Sequence, residues 1–278
     1  MLPGLRRVDL EVNYRCPRRV VERAVRLVEH NSERFAKAIR AGPAASGRLV
    51  LAADASDETV RLERVLRTWP DDGSTRAVLA RTNRELLPAV VVALRLGLPF
   101  RAPRIDLMVE SPRVDDLLAR IAGDEQDARP LLVRVGAIRP ADQDPLGLDV
   151  ATALLGWAVG HDTLTGLTAA IMETRARLAD LRRDDASLTL ATAHATKGLE
   201  FDHVVVVGME IGRFPSARVV SQADDPVRAY EEERRLGYVA WTRARRSLTL
   251  LYDPTVPSPF LLEAFSVSEL GLDRTMAG

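Results

Sequence analysis

Cysteine is all but missing from this sequence. Cys16 stands alone, which excludes an internal disulfide and a cysteine-based zinc site and fits a reducing cytoplasm. Lysine is nearly as scarce, since only Lys37 and Lys197 interrupt a basic complement that is otherwise arginine. Net charge is missing too: 39 basic residues balance 39 acidic ones. No global field therefore draws the chain to nucleic acid or to an acidic membrane, and any such contact has to be local. No apolar run is long enough to span a bilayer, and Met1-Leu2-Pro3-Gly4-Leu5-Arg6-Arg7 lacks the apolar stretch of a signal peptide. A soluble, cytoplasmic protein is expected. There is no Gly-x-x-x-x-Gly-Lys-Ser/Thr loop to wrap the β- and γ-phosphates of a nucleotide. There is no nucleophile elbow and no dinucleotide fingerprint either, which leaves little support for a metabolic α/β enzyme with its own active site.

What is present is core-forming material. Apolar residues make up 46% of the chain, enough for a sizeable core and against general disorder. An extended piece is expected from Val8 to Val12. Val20, Ala24, Leu27, Val28, Asn31 and Phe35 then stand at helical spacing, so a helix is expected from Pro17 to Ile39. Arg48 to Ala52 reads as a strand, Asp57 to Trp69 as an amphipathic helix, Ala77 to Ala80 as a buried strand, and Glu85 to Leu96 as a helix ending at Gly97. From Ala102 to about Arg183 the pattern is helical, notably over Val114 to Ile121 and Thr163 to Leu181. Strands return at Leu188 to Thr192 and His203 to Val207, both largely apolar as parallel strands covered on two faces are. A charged helix over Pro226 to Ala244 leads to a last strand, Leu248 to Tyr252. The expected architecture is a parallel-sheet α/β domain formed by residues 1–102 and 187–278, interrupted by a helical insertion over 103–186.

Two segments concentrate polar chemistry. The first runs Thr189-Leu190-Ala191-Thr192-Ala193-His194-Ala195-Thr196-Lys197-Gly198-Leu199-Glu200-Phe201-Asp202. It lies in a corner between two buried strands, and the carboxyl ends of parallel strands are where open α/β sheets bind ligands. Thr192, His194 and Thr196 can contact phosphate or sugar, Lys197 can meet an anion, Gly198 admits close backbone approach, and Glu200 can accept from sugar hydroxyls. A polar loop with a helix cap is the plain alternative. The second segment, Tyr230 to Arg246, pairs Glu231 with Arg235 four residues on and ends in Thr242-Arg243-Ala244-Arg245-Arg246. A solvated charged helix explains most of it. It explains less well an arginine cluster directly before a buried strand, where a fixed guanidinium can face a phosphate across a cleft.

Thr-Ala-His-Ala-Thr-Lys-Gly-Leu-Glu-Phe, followed by an apolar strand and Gly208-Met209-Glu210, resembles motif V of the UvrD/Rep/PcrA helicases of superfamily 1. The Glu-Glu-Glu-Arg-Arg-Leu-Gly-Tyr-Val-Ala-Trp-Thr-Arg-Ala run resembles their motif VI, with Trp241 where a smaller residue is usual. Leu10-Glu11-Val12-Asn13-Tyr14-Arg15-Cys16 resembles motif IV, and Ala77 to Asn83 resembles the strand and loop that touch DNA. The resemblance covers most of residues 8–102 and 187–253, and it implies a RecA-like second motor domain. By similarity, Tyr14 would stack on adenine, Arg15 would reach the γ-phosphate, Glu200 would bind the ribose, Lys197 and Gly198 would line the nucleotide site, and Arg243 would be the arginine finger. Arg81, Thr82, Asn83, Thr192 and His194 would hold single-stranded DNA without reading its sequence. The implied cofactors are ATP and Mg2+, bound mainly by a first motor domain supplied in cis or in trans, and the implied partners are single-stranded DNA and duplex junctions. The insertion is shorter than the family's mobile helical subdomain. Asp124-Glu125-Gln126-Asp127 imitates the family's Asp-Glu metal motif, but no apolar strand precedes it. Alone, the chain is expected not to hydrolyse ATP. A degenerate helicase-like module that binds DNA or protein without ATP chemistry is the rival reading.

Overall fold

The computed structural model describes residues 12–32, 39–42, 46–123, 128–138 and 145–272. The chain forms two compact units, one from the stretches up to Pro103 and from Asp184, the other Arg104–Arg183. The first stretch carries β1 (Val12–Asn13), α1 (Arg18–Val28), β2 (Arg40–Ala41), β3 (Arg48–Ala53), α2 (Glu58–Arg67), β4 (Arg76–Ala80), α3 (Leu87–Leu96) and β5 (Phe100–Arg101). The second unit holds α4 (Pro112–Ala122), α5 (Leu131–Gly136), α6 (Pro145–Ala158) and α7 (Leu164–Leu181). The chain returns through β6 (Leu188–Thr192), β7 (Phe201–Val206), α8 (Ala217–Ser221), α9 (Pro226–Trp241), β8 (Ala244–Tyr252) and α10 (Pro259–Ala264).

The first unit is the expected parallel α/β sheet. Its six strands lie in the order β3-β8-β7-β4-β6-β5, and every ladder is parallel. Central β4 is buried from Ala77 to Ala80, which is why its sequence shows no alternation. Ala77, Leu79, Val204, Val206, Leu248 and Leu250 share one core with Val20, Leu27, Leu236, Trp241 and Phe260 of α1, α9 and α10. On the opposite face a cavity of about 350 Å³ is lined by Arg61, Arg64 and Val65 of α2 and by Val50, Thr249 and Leu251 of β3 and β8. Local signals close the elements: Asp57 accepts from Thr59 N at the start of α2, Asp225 accepts from Arg228 N at the start of α9, and Gly97 ends α3 at φ 64°.

Two helices are shorter than their periodicity suggests. α1 stops at Val28 rather than Ile39, where Asn31 and Ser32 turn to the main chain and the buried carboxylate of Glu231. Asn31 Nδ2 donates to the Glu231 carbonyl (3.0 Å), and both the backbone N and the hydroxyl of Ser32 donate to Glu231 Oε1 at 2.7 Å. α9 stops at Trp241 rather than Ala244. The carbonyls of Thr242 and Arg243 are taken by Cys16 Sγ (3.2 Å) and Phe201 N (2.9 Å), so β8 begins at Ala244 and β7 at Phe201. The expected residues Val8 to Glu11, Phe35 and Asp124 to Asp127 lie outside the described residues.

The second unit is helical, with its own core of Val114, Leu118, Ile121, Val135, Leu154 and Leu167. Ser111 and Thr163 cap α4 and α7. Trp157 packs against this core, Trp241 is fully buried in the first unit's core, and the Trp69 ring lies 6.3 Å from His203. Among the described residues no helix is long and apolar enough to cross a membrane.

Candidate functional site

Because all six strands are parallel, the sheet has one carboxyl end and one amino end. The candidate residues divide between them. Thr192 closes β6 and Arg81 follows β4, both at the carboxyl end. The chain then runs from Ala193 back across the sheet, so Glu200 enters β7, and Arg243 enters β8, at the amino end. The expectation of a single corner at the carboxyl ends is therefore corrected. Eight residues separate the end of β6 from the start of β7, and the short 3-10 turn they contain, Ala193–Thr196, is not an α-helix.

At the amino end lies a pocket of about 660 Å³ whose lining includes Tyr14, Arg15, Glu200, Tyr238 and Arg245. Its floor is set by a turn after β1. Asn13 Oδ1 accepts from the backbone N of Arg15 (2.9 Å) and of Cys16 (3.1 Å), and Cys16 Sγ fastens the turn to the Thr242 carbonyl. Burial pushes the Cys16 thiol above its ordinary pKa, against the lowering hydrogen bond from Asn13, so it is a neutral donor here. Tyr14 is 78% exposed. A Cβ at Gly42 would stand 2.9 Å from Tyr14 Cδ1, so a larger residue there would displace the ring from its present place. The Glu200 carboxylate is held from two sides, by Arg15 and by Arg245 Nε at 3.1 Å. Tyr14, Arg15 and Glu200 thus meet in one pocket. Arg245 and Tyr238 were not singled out in the sequence. Arg245 looks there like one more arginine of a cluster, and only strand pairing sets it beside Glu200.

Arg243 does not line that pocket. Its Nε donates to the Val239 carbonyl (2.9 Å) and its Nη1 to the carbonyls of Leu199 (3.0 Å) and Thr196 (3.4 Å). Burial, and next the positive charge of Arg15, lower its pKa from the ordinary arginine value. Its carbonyl partners flank Lys197 and Gly198, both exposed at the tip of the turn, where Leu199 N closes back on the Thr196 carbonyl (3.0 Å). Gly198 has φ 86° and open space around an added Cβ, so glycine is needed for conformation rather than for room. Arg243 braces this turn from behind.

At the carboxyl end Arg81 is committed inward. Its Nε lies 2.9 Å, and its Nη2 2.7 Å, from the carboxylate of Glu233, which also accepts from Ser216 N (2.9 Å). The two side chains are 12% and 4% exposed. Thr82 and Glu85 cap each other: Thr82 N donates to Glu85 Oε2 (2.9 Å) and Glu85 N to Thr82 Oγ1 (3.4 Å). Asn83 and His194 are exposed, and Thr192 is half-buried. Burial, followed by the charge of Arg81, lowers the His194 pKa below its ordinary value, so the ring is neutral at pH 7. α9 joins the two ends, with Glu233 near one and Arg243 just beyond the other.

A buried charge network went unnoticed in the sequence. Arg61 bonds Glu210 at 2.5 Å, and Arg213 reaches Glu210 (2.7 Å), Glu58 (2.8 Å) and Glu85 (3.4 Å). Burial raises the Glu210 pKa against the pull of both arginines. The available signal was Arg61 on the inward stripe of α2, beside buried Leu62. No group of three or more His, Cys, Asp or Glu able to hold a metal exists among the described residues.

Residues 164–254 match the UvrD-like helicase C-terminal domain. The ATP-dependent DNA helicase PcrA of Leuconostoc citreum is 37% identical over 131 residues, covering 44% of this chain and 15% of that protein. DNA helicase II of Escherichia coli (strain K12) is 44% identical over 89 residues, covering 32% of this chain and 12% of that protein. The matched segments thus span only a small part of these curated relatives. In a search of solved structures, the C-terminal domain of a possible DNA helicase from Lactobacillus plantarum WCFS1 aligned over 92% of this chain and 96% of its own, at 13% identity and a TM-score of 0.41.

Proposed function

We propose, on the premise that residues 164–254 belong to the UvrD-like helicase C-terminal domain family, that this chain is the second, RecA-like motor domain of an ATP-dependent DNA helicase or translocase. The observation that supports it most is the convergence of Tyr14, Arg15 and Glu200 on one pocket. They come from positions nearly two hundred residues apart, and their chemistry suits the three parts of a nucleotide: an exposed ring for the base, a carboxylate for sugar hydroxyls, a guanidinium for phosphate. The described residues fit the nucleotide but not its metal, because the one carboxylate in the pocket is already paired with two arginines. Mg2+ therefore belongs to the partner motor domain, together with the β- and γ-phosphate grip that this sequence lacks.

On this reading the chain completes an ATP site without being an ATPase alone. Arg15 leaves Glu200 for the phosphates. Arg243, now turned to the Thr196 and Leu199 carbonyls, swings to the charge that builds on the transferring group. Its swing frees the Lys197-Gly198 turn, and that turn is continuous with Thr192 and His194, which with Asn83 and Thr82 would hold a single strand by its backbone. Arg81 contributes by holding Glu233 and α9 rather than by free contact. The helical unit Arg104–Arg183 would be the insertion subdomain. The decisive measurement is single-turnover, DNA-stimulated ATP hydrolysis by a helicase carrying this domain beside a P-loop motor domain. Arg243→Ala is expected to slow it about a thousandfold. Turnover at the wild-type rate would sink the assignment.

A further inference from the structure

Glu200 has two cationic partners of different standing. Arg15 sits on the turn after β1, and Arg245 is the second residue of β8, whose start is fixed by the pairing of Ala244 with Phe201. Arg246, next along, turns away to Asp72 and Asp202, each at 3.4 Å. β8 carries one extra residue between the Ala244–Phe201 and Ser247–His203 pairs, and a bulge of this kind re-aims the side chains it holds, so Arg245 is set beside Glu200 by the irregular start of the ladder. The turn that carries Arg15 is fastened, among the described residues, by Asn13 and Cys16.

One carboxylate shared by two guanidiniums holds each less firmly than it would hold one. The cations repel each other, and each sees half of the anion's lone-pair sites. We infer that Arg245 is a positioning residue for Arg15: it keeps Glu200 oriented and partly neutralised, so that Arg15 can leave for a nucleotide's phosphates without stranding the carboxylate. This rests on the reading above, in which Arg15 is the phosphate-seeking group. Removing Arg245 leaves Arg15 as the sole partner of Glu200 among the described residues and makes phosphate compete with a tighter pair.

The test is a titration of the whole 278-residue chain with ATP and with adenosine, without metal, by calorimetry or ligand-observed NMR. Arg245 is 54% exposed, so its variants are expected to fold, with a circular-dichroism melt as the check. Arg245→Ala should weaken ATP about fivefold, the scale of an exposed ion pair, and leave adenosine unchanged. Arg245→Lys should restore most of the loss. In a Glu200→Gln background, where no pair competes for Arg15, Arg245→Ala should have no effect on ATP. If the fivefold loss persists in that background, Arg245 acts only as bulk positive charge and the inference is overturned. It is overturned equally if Arg15→Ala weakens ATP while Arg245→Ala does not. If Arg15→Ala leaves ATP binding unchanged, the reading of Arg15 itself falls, and the inference with it.

Discussion

The two ends of the sheet use the same chemical pair to opposite purposes. At the amino end an arginine and a glutamate, Arg15 and Glu200, are 43% and 20% exposed and share their charge with Arg245. At the carboxyl end Arg81 and Glu233 are 12% and 4% exposed and bound through both oxygens. An exposed pair contributes about 1 kcal/mol or less and is easily exchanged for another anion. Removing one member of a buried pair strands a charge away from water, at about 3–5 kcal/mol. Sequence alone ranks these arginines alike as ligand contacts. Burial separates an exchangeable contact from a structural strut.

Substitution at the two glutamates tests that contrast with the largest expected effect. Glu233→Ala is expected to lower stability by about 3–5 kcal/mol, and Arg81→Ala in the same chain to recover part of it. Glu200→Ala is expected to cost about 1 kcal/mol or less. Denaturant melts read both, and equal losses at the two ends would break the comparison. Between them stands the turn that links the ends. Gly198→Ala should cost about 1–2 kcal/mol, the penalty for an L-residue in the left-handed region. A neutral Gly198→Ala would mean that the turn relaxes freely and that Arg243 does not brace it.

The smallest expected effect is a pH dependence. Burial lowers the pKa of both His194 and His203; the charge of Arg81 adds to the effect at His194, whereas Asp72 and Asp202 oppose it at His203. The unfolded chain therefore takes up more protons than the folded one once pH falls below about 6.5, the unfolded histidine value. The stability these groups contribute is complete above that value and is lost as pH drops towards their lower folded values. His203 is the deeper of the two, with Nδ1 2.7 Å from Ser247 Oγ and Nε2 without a partner among the described residues. His203→Gln should flatten the slope of melting temperature against pH between 7 and 5.5 more than His194→Gln does. An unchanged slope in both would place the acid sensitivity in the carboxylates.

Much of the local structure was legible in the sequence, because the signals for it act over a few residues. Asp57, Gly97, Pro226 and the unbroken apolar run Ala77 to Ala80 mark elements where the structure has them. The errors fall where a backbone group finds a distant partner. The carbonyls of Thr242 and Arg243 leave the ladder of α9 for Cys16 and Phe201, and periodicity carries no trace of that. The end of α1 was overrun for the same reason, since Asn31 and Ser32 answer to Glu231 some two hundred residues on.

The sequence by itself determined the chemical inventory: an aromatic and an arginine at Tyr14-Arg15, a carboxylate after a glycine turn at Glu200, and an arginine cluster entering a strand at Arg243. Residue type and spacing are enough to name these. Only the tertiary structure decided which of them meet. The strand order β3-β8-β7-β4-β6-β5 lays the start of β8 beside the start of β7, and so brings Arg245 to Glu200. The same packing buries Arg81 against Glu233 beneath α9. Proximity and dielectric are properties of the packed sheet, and both depend on contacts between residues too far apart in the chain for any local pattern to encode.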